Sequence, residues 1–306
     1  MQYDVRRITS MINTVAHSLD THGLDYEMPS SSAFDDHPDL FEVLQTSGFY
    51  RSTDEIEISA ANGVSFLRMV IGSAVWNWTF YAPTAAYPAD RVKSRSEALL
   101  DAYRETSLVP SKPVLTSFVF FYLTLISDER KVLRIIHCKA WMTLIRDRPS
   151  MLNSTIAREA EIFTNRLFCM LSSVLRRSNN SGDLPPLKAA EDWIITTKSG
   201  RTHFKYVQSL FAACIQLRNR LPLSECYYEI HYPASVESQF LEGEPGDHNR
   251  EIEFCLSPAV LEFDPKMFSR GNIGASVMPG EQNFIHGTDE QRKQSRVVCP
   301  ARVTFR

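Results

Sequence analysis

The spacing of apolar residues changes once along this chain, near residue 220, and that change limits its fold more than any other feature. Val5, Ile8, Ile12, Val15 and Leu19 recur at intervals of three and four, the repeat of one helical face. The same repeat returns in several stretches up to residue 220. Beyond it the pattern is every second residue. Cys226, Tyr228, Ile230 and Tyr232 alternate with Tyr227, Glu229 and His231. Ile252, Phe254 and Leu256 alternate again, as do Val297, Cys299, Ala301, Val303 and Phe305. A period of two places alternate side chains on one face of a strand. The expected fold is therefore mainly α: a multi-helix, bundle-like body with a small C-terminal β appendage.

The helices are predicted from apolar spacing and punctuation. The first ends near Gly23, a short one around residues 40–44 ends near Gly48, and a buried one covers 65–81 ahead of Pro83. Further helices are expected at 90–108, 113–126, 128–146, 152–177, 189–197 and 203–220. The most apolar run, 114–126, makes only about 20 Å of helix, against the roughly 30 Å of a bilayer core, so a buried helix is expected and no membrane span. Residues 1–4 lack the basic start that precedes a signal-peptide apolar run, so no secretory signal is expected. Six cysteines without a C-x-x-C pair, in a chain of 306 residues, fit reduced thiols in an intracellular protein.

Charge divides the chain into three. Residues 1–63 hold 3 basic and 11 acidic side chains, residues 64–220 hold 22 and 12, and residues 221–306 hold 8 and 13. We take these as an acidic N-terminal helical segment, a basic helical body and a small β-containing C-terminal region packed on that body. A basic middle suits an acidic partner, or the chain's own acidic ends.

Familiar catalytic signatures are missing from the sequence. It has no G-x-S-x-G elbow, Walker loop, G-x-G-x-x-G, H-E-x-x-H or EF-hand loop, which weighs against the common hydrolases, NTPases, dinucleotide enzymes and zincins. One motif has a mechanism. Asp35, Asp36 and Asp39 spell D-D-x-x-D, the cluster with which class I terpene synthases hold Mg²⁺ and, through it, a diphosphate. Carboxylate oxygens suit that hard cation. The second metal motif of those enzymes is matched in spacing by Asn153, Ala157 and Glu161, but Ala157 has no liganding hydroxyl. The plainer reading makes Asp35 or Asp36 the cap of a helix opening near Pro38.

Two other groups are candidates for binding. Arg130, Lys131, Arg134 and Arg146 lie on one basic helical segment, with Arg130 and Arg134 one turn apart. They could meet an acidic protein or form a solvated face. No DNA-reading module is present, so sequence-specific nucleic-acid binding is not expected. Trp76, Trp78 and Phe80 could line a ligand pocket, or fill the core.

Residues 66–80, 217–232, 254–263 and 297–305, taken in that order, carry a resemblance. The chain resembles uncharacterised helical proteins of filamentous fungi, related in look to the helical C-terminal regions of fungal transcription regulators. The resemblance implies a fungal source and an interaction role, and supplies no catalytic residues. The expected function is that of a non-enzymatic regulatory or protein-interaction protein, cytoplasmic or nuclear, without a cofactor, linked to transcription or secondary metabolism. The alternative is a Mg²⁺-dependent, terpene synthase-like enzyme.

Overall fold

The first apolar stripe forms as its spacing predicts. Helix α1 runs Gln2–Asp20 and buries Val5, Ile8, Ile12, Val15 and Leu19 along one face. Each such side chain taken from water contributes about 1.5–3 kcal/mol. A computed structural model describes residues 1–20, 24–26, 38–47, 63–81, 146, 149–172, 175–177, 198–221, 226–233, 238–242, 252–264, 267 and 287–305. Expected helices at 90–108, 113–126 and 189–197 lie outside them, as does that at 128–146 except for its last residue.

Helix α2, Pro38–Thr46, opens on a proline, which suits the first helical turn because the N–H it lacks would have no partner there. Helix α3, Gly63–Trp76, is apolar nearly all round and lies against α1, α2 and the C-terminal strands. Helix α4 is Pro149–Ser172 and helix α5 is Lys198–Arg220; these two pack on each other, and α5 also packs on α1. The 152–177 stretch is thus not one helix. It stops at Ser172, and β2 (Leu175–Arg177) pairs antiparallel with β1 (Leu24–Tyr26). Helical spacing cannot reveal a strand whose partner lies some 150 residues earlier. Among the described residues, no helix is long and apolar enough to cross a membrane.

The chain is mainly α-helical, with small antiparallel sheets near its C-terminus. Strand β3 (Tyr227–His231) pairs with β5 (Ala259–Phe263), which pairs with β6 (Arg296–Cys299). Strand β4 (Ile252–Ser257) pairs with β7 (Arg302–Phe305). Pro258 separates β4 from β5, while Pro300 and Ala301 separate β6 from β7. The two sheets therefore share one long antiparallel ribbon, broken on both sides at a proline corner. Proline has no N–H for a ladder, so it belongs at such a break. The segment 240–242 seals the corner: the Ala301 amide donates to the Phe240 carbonyl and the Glu242 amide to the Ala301 carbonyl. The expected single strand over 297–305 is accordingly two strands.

Strand β5 escaped the period-two pattern because both of its faces are covered. Val260 joins the main core with Tyr228 and Ile230, while Ala259, Leu261 and Phe263 join a smaller cluster with Phe240, Cys255 and Ala301. A strand buried on both sides shows a continuous apolar run rather than alternation. The main core draws on all three charge segments, from Val5 through Trp76 and Phe211 to Phe254 and Cys299. Helix α3 approaches β4 closely. A Cβ at Gly72 would stand 3.4 Å from the Leu256 carbonyl oxygen, and Phe66 meets Phe254 edge-on at 6.4 Å.

Candidate functional site

Polar side chains gather where α2, α4 and α5 meet the end of α3. There the α-helix widens into a π turn, Asn77–Tyr81. In an α-helix the Thr79 carbonyl would accept from the amide of residue 83, but Pro83 has no N–H. Arg218 of α5 donates to that carbonyl instead, at 3.2 Å. The same guanidinium donates to Glu159 of α4 at 2.6 Å. π turns interrupt helices frequently at functional positions.

Arg166 of α4 organises the other side of this turn. Its Nε and Nη2 donate to the two carboxylate oxygens of Asp39 at 2.8 and 2.6 Å. The guanidinium also lies 4.2 Å from the centre of the Trp78 ring and 3.6 Å from Glu42. Glu42 in turn accepts from Asn77 Nδ2 at 2.7 Å. Bidentate pairing and stacking on an aromatic face are both uses to which the planar guanidinium is suited. The result joins α2, the π turn and α4 around one charge.

The aromatic candidates fill the core. Trp76 and Trp78 are 1% exposed and Phe80 is 4% exposed. Trp76 stacks with Phe80 at 5.1 Å, and Trp78 lies parallel to Phe211 at 6.4 Å. The indole N–H groups of both tryptophans are buried without an acceptor among the described residues.

Of the D-D-x-x-D cluster, Asp35 and Asp36 lie outside the described residues. Asp39 is turned to Arg166, which engages both of its oxygens. Asn153, Ala157 and Glu161 are all exposed on α4. Among the described residues, no group of three or more His, Cys, Asp or Glu side chains is placed to hold a metal ion. Of the basic candidates, Arg130, Lys131 and Arg134 lie outside the described residues, while Arg146 is helical and exposed.

Sequence reasoning missed a second polar centre. Glu229 of β3 is only 2% exposed. Arg292, on the short helix α6 (Asp289–Gln294), donates to both of its oxygens at 2.8–3.1 Å, and the Gly287 amide donates to Oε2 at 3.2 Å. These bonds hold the Arg292 guanidinium above the ordinary arginine range. Gly287 must stay small: a Cβ there would come within 2.9 Å of the Phe263 ring. Helix α6 is set by a capping box, Thr288 accepting from the Gln291 amide and Gln291 from the Thr288 amide. The available signal was a lone carboxylate within an aromatic and aliphatic strand. His231, half-buried at the end of β3, packs edge-on against Phe240 at 4.9 Å. Ser18, near the end of α1, hydrogen-bonds His203 Nε2 in the first turns of α5 and joins those two helices.

The core thiols are held protonated. Burial pushes the Cys255 thiol from 9.0 up to about 12, opposed by a hydrogen bond with the Ser257 backbone. Burial also raises Cys214, opposed by the charge of Arg218. An unfolded thiol ionises near its ordinary value, so rising pH draws protons from the unfolded state before the folded one. Each thiol should thus remove about 1.4 kcal/mol of stability per pH unit above roughly pH 9. Urea midpoints should fall between pH 8.5 and 10.5, and less steeply in a Cys214→Ala/Cys255→Ala chain. Equal slopes would show that the buried thiols do not carry this dependence.

No protein-family model, curated protein or solved structure matches the chain.

Proposed function

We propose that this chain is a non-enzymatic regulatory or protein-interaction protein of a filamentous fungus, cytoplasmic or nuclear, with a role in transcription or secondary metabolism. The observation that carries this reading is the use made of its paired charges, of which Glu229 is buried and the others partly so. Asp39 with Arg166, Glu159 with Arg218, and Glu229 with Arg292 each join separate elements of the fold. Buried thiols whose ionisation is suppressed are poor nucleophiles, because the thiolate is the reactive form. These groups serve as ties within a scaffold, and a scaffold acts through its surface.

The partner in this reading is an acidic protein. The middle of the chain carries 22 basic side chains against 12 acidic ones, and Arg130, Lys131, Arg134 and Arg146 concentrate that charge on one segment. Exposed basic clusters steer acidic partners and lose that advantage as salt rises. The test is a triple reversal, R130E/R134E/R146E, compared with the natural chain in partner capture at low salt. Loss of a stoichiometric partner, with the helical circular-dichroism spectrum unchanged, is expected. Full retention of the partner would remove this surface from the account.

A further inference from the structure

The N-terminal acidic segment supplies a helix that shows what kind of partner the body accepts. Helix α2 is nine residues long, and isolated helices of that length are marginal in water. Its order therefore comes from docking. Leu40, Val43 and Leu44 are fully buried against the body, while Asp39 and Glu42 reach the cationic and amide groups of Arg166 and Asn77. The rest of the helix looks outward: Phe41 is 41% exposed, and Gln45 is exposed. The receiving surface is made by α3, its π turn and α4, with Trp78 beneath Arg166. It thus combines an apolar floor with one guanidinium held flat on an aromatic face.

We propose that α2 is a displaceable internal ligand, and that the surface beneath it docks an acidic amphipathic helix from a partner protein. The inference rests on the interaction reading above and names the chemistry of the partner. The incoming helix would carry two or three aliphatic side chains at i, i+3 and i+4, as Leu40, Val43 and Leu44 do. One carboxylate just before the first of them would meet Arg166, as Asp39 does, and a second would meet Asn77, as Glu42 does. Charge complementarity supports this occupant over a neutral apolar one: the segment supplying α2 holds 11 acidic side chains against 3 basic, and the body that receives it holds 12 against 22. Helix-in-groove docking reads such anchors on one helical face. In the resting chain α2 holds the surface closed, so affinity for the partner is lowered by the small fraction of molecules with α2 released.

The test uses the full chain and a fluorescent peptide of residues 34–48, which holds the α2 sequence and four carboxylates. Anisotropy should show the peptide binding a Leu40→Ala/Leu44→Ala chain at least tenfold more tightly than the natural chain. Adding Arg166→Glu to that variant should abolish binding, and raising salt should weaken it. A folded Leu40→Ala/Leu44→Ala chain that binds no better than the natural one would overturn the proposal. Hydrogen exchange of the natural chain tests it without any variant. The α2 amides should open well before those of α3; exchange of both together, only on global unfolding, would also overturn it. Failure here, alongside continued capture of a partner through the basic segment, would leave the broader function standing and remove only this surface.

Discussion

Replacing Arg292 with alanine should destabilise the chain by about 3–5 kcal/mol, the usual consequence of taking one partner from a buried ion pair. The expected size follows from where Glu229 sits. Its carboxylate is 2% exposed, between the β3–β5 sheet and helix α6, and Arg292 meets both of its oxygens. Removing the guanidinium leaves a negative charge in a site that water barely reaches. Removing both charges should be far milder. A Glu229→Leu/Arg292→Met chain should recover most of the loss, because apolar residues of similar volume can replace a buried pair. Urea unfolding of the two variants decides the matter. A loss below about 1 kcal/mol for Arg292→Ala is the value of an exposed pair, and would contradict the burial described.

Trp78→Ala should cost a comparable amount, about 3–5 kcal/mol, through the cavity it leaves in the main core. Its ring meets both the Arg166 guanidinium and the Phe211 ring, so the substitution disturbs a polar tie as well as packing. Trp78→Phe should cost much less, since most of the aromatic surface stays. A double-mutant cycle with Arg166→Met separates the two contributions, and should give a coupling of about 0.5–2 kcal/mol for the stacked cation. Zero coupling would mean that Arg166 acts through Asp39 alone. If Trp78 lined a ligand pocket instead of the core, truncation would enlarge that pocket at little cost in stability.

What could be read in the sequence was local. Helix α1 and strand β3 announce themselves because each turns one regularly spaced set of apolar side chains into the main core, and that leaves a period. Helix α2 begins at Pro38 for a reason carried by the proline itself. That Pro83 leaves the Thr79 carbonyl without a helical donor was also within reach, but the replacement donor, Arg218, lies 139 residues away. Strand β5 was hidden by burial on both faces. The pairing of Asp39 with Arg166 spans 127 residues, and no spacing rule connects them. The same holds for Glu229 and Arg292, where the alternation placed Glu229 opposite the apolar face and thus toward water. Gly287 and Arg292, of helix α6 and its approach, cover that carboxylate instead. Tertiary contacts decided the role of each charged side chain, and local pattern carried no record of them.

The most direct test of the central claim is native purification of the full-length chain, with mass spectrometry of every protein and small molecule that remains bound. The scaffold reading predicts a stoichiometric protein partner rich in acidic side chains, released by salt and lost in R130E/R134E/R146E. Retention of a prenyl diphosphate or its product, with Mg²⁺-dependent release of pyrophosphate and no protein partner, would contradict it.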